Sequence, residues 1–343
     1  MSIIRNPITL PFSNIVSSQA EIGSITTLLA YHRARTGAPT SSRVSALVDG
    51  SLFQNVEFGS GVTNSVTLDL ANERDWSRAS TLTDVNDAAV GQETLFIDTF
   101  KVIELSVNEI MTRRTGVSAN QIESLLSAIM QVLENTHAHN QFDRVVELYK
   151  NWIARPEQTV EILLKDTSTL TGLELNQTNE ANMREVYKVM NETVEDMLIL
   201  NNKYTDILDY EAQDGTMKSI RRSLSEDNMR LVLNSKANTL MIADGLAPIY
   251  NKTTLDSLKA GRRMDIIPQT KLNGTTIPAT HFVDNEVIGY LHEEGKFALI
   301  TMYKITRSFA DPSNLFTNYW LHYAFGLGVF GLLMGVKFVA RVI

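Results

Sequence analysis

An extended segment with no core of its own sets the problem the rest of this chain must solve. Residues 51–98 are acidic, lysine-free and loosely alternating. They are too rich in Val, Thr and Leu for a disordered linker, yet residues 52–96 hold too few large apolar side chains to bury themselves. Such a stretch needs another surface to lie on, and a neighbouring subunit would supply it. Between positions 51 and 100, eight acidic residues (Glu57, Asp69, Glu73, Asp75, Asp84, Asp87, Glu93, Asp98) stand against Arg74 and Arg78, a net of −6. Residues 1–50 carry Arg5, Arg33, Arg35 and Arg43 against Glu21 and Asp49, a net of +2. A basic arm and an acidic loop on one polypeptide suit overlapping copies, because opposite charges steer encounter and register. The candidate inter-subunit contacts are therefore Arg5, Arg33, Arg35, Arg43, Glu57, Asp69, Glu73, Asp75 and Trp76; the plainer reading makes these solvated surfaces.

The segment runs into an apolar strand, residues 100–110, and then through a turn near Gly116 to Ser118-Ala119-Asn120-Gln121, a capping box that opens a helix. Ile122, Leu125, Leu126, Ile129 and Leu133 recur on one helical face. After a polar patch at 136–141 the face resumes with Phe142, Val145, Val146, Tyr149 and Ile153, and Arg155-Pro156 ends it. An unbroken helix of that span is about 50 Å long.

Further along, residues 157–164 read as a strand and 178–210 as a helix with a stripe of Met183, Val186, Tyr187, Met190, Val194, Met197 and Leu198, taken as core. Residues 229–234 read as a buried strand, with short helices at 235–250 and 255–259. Ile266-Ile267 and residues 271–277 are expected to pair as a hairpin through Asn273-Gly274. Strands at 281–291 and 296–309 are parted by a turn at 292–295. The arm carries a helical pattern at 18–35 followed by a turn-rich linker. Mixed elements without regular βαβ alternation predict an α+β fold.

Residues 321–336 are apolar or glycine except His322, and Gly331 and Gly335 make a GxxxG spacing. A tail anchor is one reading. The run is short for a spanning helix, which takes about 18 to 25 residues, and it is bounded by Lys337 and Arg341. Glycines at 326, 328, 331 and 335 among aromatic and β-branched residues favour a pair of buried strands and no membrane.

Composition narrows function further. A formal charge of −8 argues against coating nucleic acid, and the absence of cysteine removes disulfides, thiolate nucleophiles and Cys-based metal sites. His137 and His139 point about 200° apart on a helix and cannot share one metal. Glu192 and Glu195 lie on a solvated helical face. No nucleophile elbow, zincin or phosphate-loop motif occurs, so no catalytic, cofactor or metal residue is expected. Pro7 and Pro11 interrupt the apolar residues of the N-terminus, so synthesis in the cytoplasm is expected.

The order of an extended loop, a strand running Lys101 to Leu105 and Ser106-Val107-Asn108-Glu109-Ile110, and then a long helix resembles the major capsid proteins of tailed bacteriophages, the Hong Kong 97 type fold that encapsulins share. The resemblance runs from about residue 51 to the C-terminus. It implies an arm at 1–50, an extended loop at 51–98, a peripheral domain at 99–156 and 292–318 with a spine helix at about 118–155, and an axial domain at 157–291 and 319–343. It also implies a non-catalytic protein that assembles with itself, as pentamers and hexamers, into an icosahedral shell around a viral genome. A virion location, packaged genome held without sequence preference, and scaffold, portal or cement partners would follow. An encapsulin-type cargo shell is the alternative on the same fold. Some members of the family join subunits through a loop lysine and a neighbour's asparagine; residues 51–100 contain no lysine.

Overall fold

The computed structural model describes residues 47–53, 61–69, 89–108, 119–212, 215–241, 263–278, 280–311 and 316–343. Strands β1 (Leu52–Phe53), β2 (Gly61–Thr67), β3 (Val90–Phe96) and β4 (Thr99–Asn108) precede helix α1 (Ala119–Asn151). That helix has 33 residues, hence a length of about 50 Å. Its apolar stripe does not pause at the polar patch: Leu133, His137, Gln141, Val145 and Tyr149, each four apart, are all buried, because i and i+4 share a face. The expected last position of the stripe is corrected. The helix stops at Asn151, Ile153 is 89% exposed, and Trp152 is buried in its place.

The rest of the chain forms β5 (Thr159–Leu164), α2 (Gly172–Leu198), β6 (Asp209–Glu211), β7 (Met217–Ser219), β8 (Met229–Asn234), α3 (Ser235–Leu240), β9 (Arg263–Ile267), α4 (Gln269–Asn273), β10 (Val287–Glu293), β11 (Phe297–Asp311), β12 (Phe316–Val329) and β13 (Gly335–Val342). Two sheets organise them. One has the order β1-β11-β12-β4 and the other β5-β13-β10-β8-β9, and two hairpins, β2-β3 and β6-β7, stand apart. The fold is α+β, as expected.

Helix α2 presents Met183, Val186, Met190, Val194 and Met197 to the five-stranded sheet, meeting Ile162, Leu231, Leu233, Ile288 and Phe338. The methionine stripe is core, and each such side chain contributes about 1.5–3 kcal/mol on burial. The opposite face of the same sheet offers Val232 and Tyr290 to the C-terminal half of α1, together with Phe297, Leu299, Tyr323 and Phe325 of the four-stranded sheet. With both faces covered, every residue of β8 is buried, which is why its sequence is mostly apolar, with only Arg230 and the terminal Asn234 polar.

Three further expectations are corrected. The helix expected to reach Tyr210 ends at Leu198, where the Asn201 side-chain amide donates to the free carbonyls of Asp196 (2.7 Å) and Ile199 (2.9 Å). Asn273-Gly274 closes no hairpin: Gly274, at φ 89°, terminates α4, since a positive φ suits a helix end as well as a tight turn. Finally, residues 321–336 do form strands, but β12 and β13 do not pair; each joins a different sheet, and residues 330–334 cross between the sheets. The helical patterns at 18–35 and 255–259, and the capping box at Ser118, lie outside the described residues.

Candidate assembly interface

The crossing between the sheets is held by a dense set of hydrogen bonds. Lys296, immediately before β11, is fully buried, and its ammonium donates to the carbonyls of Phe330 (3.3 Å) and Leu333 (2.7 Å) and to the Asp206 carboxylate (3.0 Å). Asp206 is held in turn by Trp152 Nε1 (3.2 Å) and Gln158 Nε2 (2.7 Å), and its amide donates to Gly331 O (2.9 Å). Arg222 forks onto Glu293 (2.7 and 2.8 Å) and also donates to Leu332 O (2.7 Å). Met334 N donates to the Glu293 carboxylate, and Glu293 N to Met334 O. Burial pushes Lys296 below the ordinary lysine range, while Asp206, Glu93 and Glu293 pull it back.

Glu93, from the middle of β3, completes this junction. Its two carboxylate oxygens accept the amides of Gly331 (3.0 Å) and Leu332 (2.9 Å). The hairpin that carries it lies on its own subunit: Val66 and Leu68 are buried with Ile220, Phe330, Leu332 and Leu333. This corrects the expectation that the extended segment has no place in the subunit core. Two glycines of β12 let the hairpin approach. A Cβ on Gly326 would sit 2.3 Å from the backbone oxygen of Phe96, and one on Gly328 would sit 2.4 Å from Leu95 Cδ2.

The four-stranded sheet has two unlike faces. On the α1 side, Tyr323 meets His137 edge-on at 4.5 Å, and the Arg144 guanidinium lies 3.9 Å from the Phe325 ring centre. Burial, then Lys304, lowers His137 to about 4. On the other side, the register aligns Val102 with His322 and Ile305, Glu104 with Trp320 and Arg307, and Ser106 with Asn318 and Phe309; residues directly opposite share a face. Phe100 is 55% exposed there, Val102 51% and Phe309 60%. Phe96, at the end of β3, is 62% exposed. These apolar side chains share the face with His322 and with the exposed Glu104 and Arg307.

Of the residues expected at inter-subunit contacts, Asp69 lies among the described ones, where its carboxylate accepts from Arg221 of the same subunit at 3.1 and 3.2 Å. Arg5, Arg33, Arg35, Arg43, Glu57, Glu73, Asp75 and Trp76 lie outside the described residues. Sequence reasoning counted Glu93 only as a charge and passed over Lys296, Asp206, Arg222 and Glu293. Their side-chain partners are 34 to 239 residues apart, and no local spacing signals them. Among the described residues, no group of three or more His, Asp or Glu side chains could hold a metal, and no helix is long and apolar enough to cross a membrane.

Solved structures that share this fold include those of phage heads. A chain in the structure of the head fiber and inner core protein gp22 of native bacteriophage P68 superposes with a TM-score of 0.57 at 7% identity, over 85% of this chain and 83% of that one. The capsid of Staphylococcus phage Andhra gives 0.53 at 7% identity over 84% and 82%. The capsid of Cyanophage Pam1 gives 0.51 at 10% identity over 84% and 89%. At such identities the likeness concerns the fold. No curated protein matches the sequence. The model of the Phi29-like phage major capsid protein family, however, matches residues 55–329, from within the extended segment to the end of β12. With most of its length matched, its fold that of phage capsids and its apolar sheet face open for contact, this chain belongs to the Phi29-like phage major capsid protein family and is a structural protein of the phage head.

Proposed function

We propose that the chain closes into an icosahedral shell of pentamers and hexamers around a viral genome, without catalysing a reaction. It would be made in the host cytoplasm, with scaffold, portal or cement proteins joining the shell from outside this chain. In this reading β4, α1, β11 and β12 form the peripheral domain, and α2, β5, β8 to β10 and β13 the axial one. β12 runs unbroken through positions 318 and 319, which supports drawing the proposed division at residues 330–334 in this reading. The basic arm, through Arg5, Arg33, Arg35 and Arg43, and the acidic loop, through Glu57, Glu73, Asp75 and Trp76, would lie on neighbouring copies.

The exposed row of Phe100, Val102, Ile305 and Phe309, on the sheet face away from α1, carries the reading. Isolated apolar side chains on a surface are ordinary, but four large ones on one sheet face, two from β4 and two from β11, are suited to burial by a second copy. Negative-stain imaging and light scattering of the purified chain test it: particles of many subunits are expected, and a monodisperse monomer at high concentration contradicts the proposal.

A further inference from the structure

We propose that Glu93 is a positioning residue for assembly: its grip on Gly331 and Leu332 fixes the direction in which the β2–β3 hairpin crosses the subunit, and copies need that direction to close into shells of one size. The proposal rests on the assembly reading above and deepens it.

The residues of the sheet crossing are gripped from two sides by opposite charges. The Lys296 ammonium takes the carbonyls of Phe330 and Leu333, and the Glu93 carboxylate takes the amides of Gly331 and Leu332. Lys296 is itself fixed by Asp206, which Trp152 at the end of α1 and Gln158 hold in place. The crossing is therefore rigid, and it is the surface against which Glu93 sets the hairpin. The apolar seat of Val66 and Leu68 holds the hairpin down but gives it no direction, because burial is non-directional. Directed bonds supply that. One point is Arg221, whose amide donates to Leu68 O at 2.8 Å and whose guanidinium donates to Asp69. Glu93 is the second, midway along β3. One end of the hairpin is tied where Phe96 packs on Gly326 and β3 passes into β4; Arg221 and Glu93 set the direction the strands take from there.

The geometry amplifies a small change. Seven residues of β2 span about 23 Å at a rise of about 3.3 Å each, so a 10° pivot shifts one end against the other by about 4 Å. Such a shift is enough to break hydrogen-bonded register with anything that lies on the hairpin. The Leu68–Ala89 pair, joined by a 2.7 Å backbone bond, is also where residues 70–88 begin and end.

The test compares the full-length chain with Glu93→Gln and Glu93→Ala, with Glu211→Gln, an exposed glutamate of β6, as control. Gln keeps the shape but turns an NH2 toward a backbone N–H. Hydrogen exchange of peptides covering residues 329–334 should quicken about tenfold or more in both Glu93 variants, from the loss of charge-assisted bonds. Circular dichroism should remain that of the wild type, and electron microscopy should show open or variously sized shells in place of one diameter. Unchanged exchange, or shells of the wild-type diameter from both variants, overturns the proposal. A wild-type chain that forms no shells overturns the assembly reading and the shell half of this one. The exchange comparison on subunits then decides the grip alone.

Discussion

Lys296 shows how one residue can tie two sheets together. Replacement by Met keeps the aliphatic stem beside Trp152 but removes the donor to the Leu333 carbonyl, leaves the Phe330 carbonyl with only the Leu333 amide, and takes the cation from Asp206. Removing one partner of a buried pair costs about 3–5 kcal/mol. Asp206 keeps two other donors and some solvent, so Lys296→Met should lie near the lower end, about 3 kcal/mol, by urea unfolding of the subunit. His292 makes a second prediction. Its Nδ1 faces the Glu293 carbonyl at 2.8 Å and must donate, so Nε2 accepts from the Tyr149 hydroxyl at 2.8 Å. Burial, then Arg230, holds this histidine down at about 3. The unfolded chain therefore binds the proton and the folded one does not between pH 6.5 and about 3, and stability falls as pH drops through that window. From this residue alone, about 2 kcal/mol should be lost between pH 7 and pH 5, and His292→Asn should remove that part of the difference. Equal pH slopes for the two proteins would show that His292 is not the group responsible.

Among the elements, the hairpin and β12 depend on one another. Gly326→Val would place a side chain against the Phe96 backbone, which cannot give as a flexible side chain can. It should lift the hairpin base and lower the unfolding temperature by several degrees, on the order of 1–3 kcal/mol for overpacking. Deletions divide the extended segment. Removing residues 70–88 should leave a folded subunit that fails to form closed shells. Removing 56–93 takes Val66, Leu68 and Glu93 as well and should also loosen the subunit, as circular dichroism melts would show. Equal melts for the two deletions would mean that the hairpin base adds nothing to the core. The elements themselves were largely legible in the sequence. Periodicity located β4, α1, α2 and β8, since a 3.6 or continuous apolar pattern survives wherever one neighbour covers the face. Periodicity failed at Asn273-Gly274 and at 199–210, where side-chain hydrogen bonds to distant or terminal backbone groups decided the path.

In the molecule as a whole, the β2–β3 hairpin covers one end of the sheet face away from α1, at Gly326 and Gly328, and the other end, around Val102 and Ile305, is the part proposed to meet other copies. Val102→Asp combined with Ile305→Asp replaces two of its exposed apolar side chains by carboxylates while leaving the α1 side untouched. The double variant should fold, by circular dichroism, yet remain a small species by light scattering; shells at wild-type yield would move the contact elsewhere. Residues 51–100 contain no lysine, so no loop amine can form an isopeptide bond. Exposed ion pairs contribute only about 0–1 kcal/mol each. Apolar contact should then carry most of the shell's strength, and boiling particles in detergent should release a single monomer band. A ladder of multimers would reveal a covalent link.

The sequence by itself determined the class of structure: the α+β mixture, the long helix, the methionine core stripe and the charge contrast between arm and loop all follow from local composition and period. Even the strand nature of residues 321–336 could be read from its glycines and β-branched residues. Tertiary structure alone decided that β12 and β13 part to different sheets, that residues 330–334 become the crossing, and that Glu93, Lys296 and Asp206 converge on it. Periodicity records which face of an element is buried, not what buries it. A carboxylate seated on backbone amides more than two hundred positions away in the chain leaves no trace in the spacing of its neighbours.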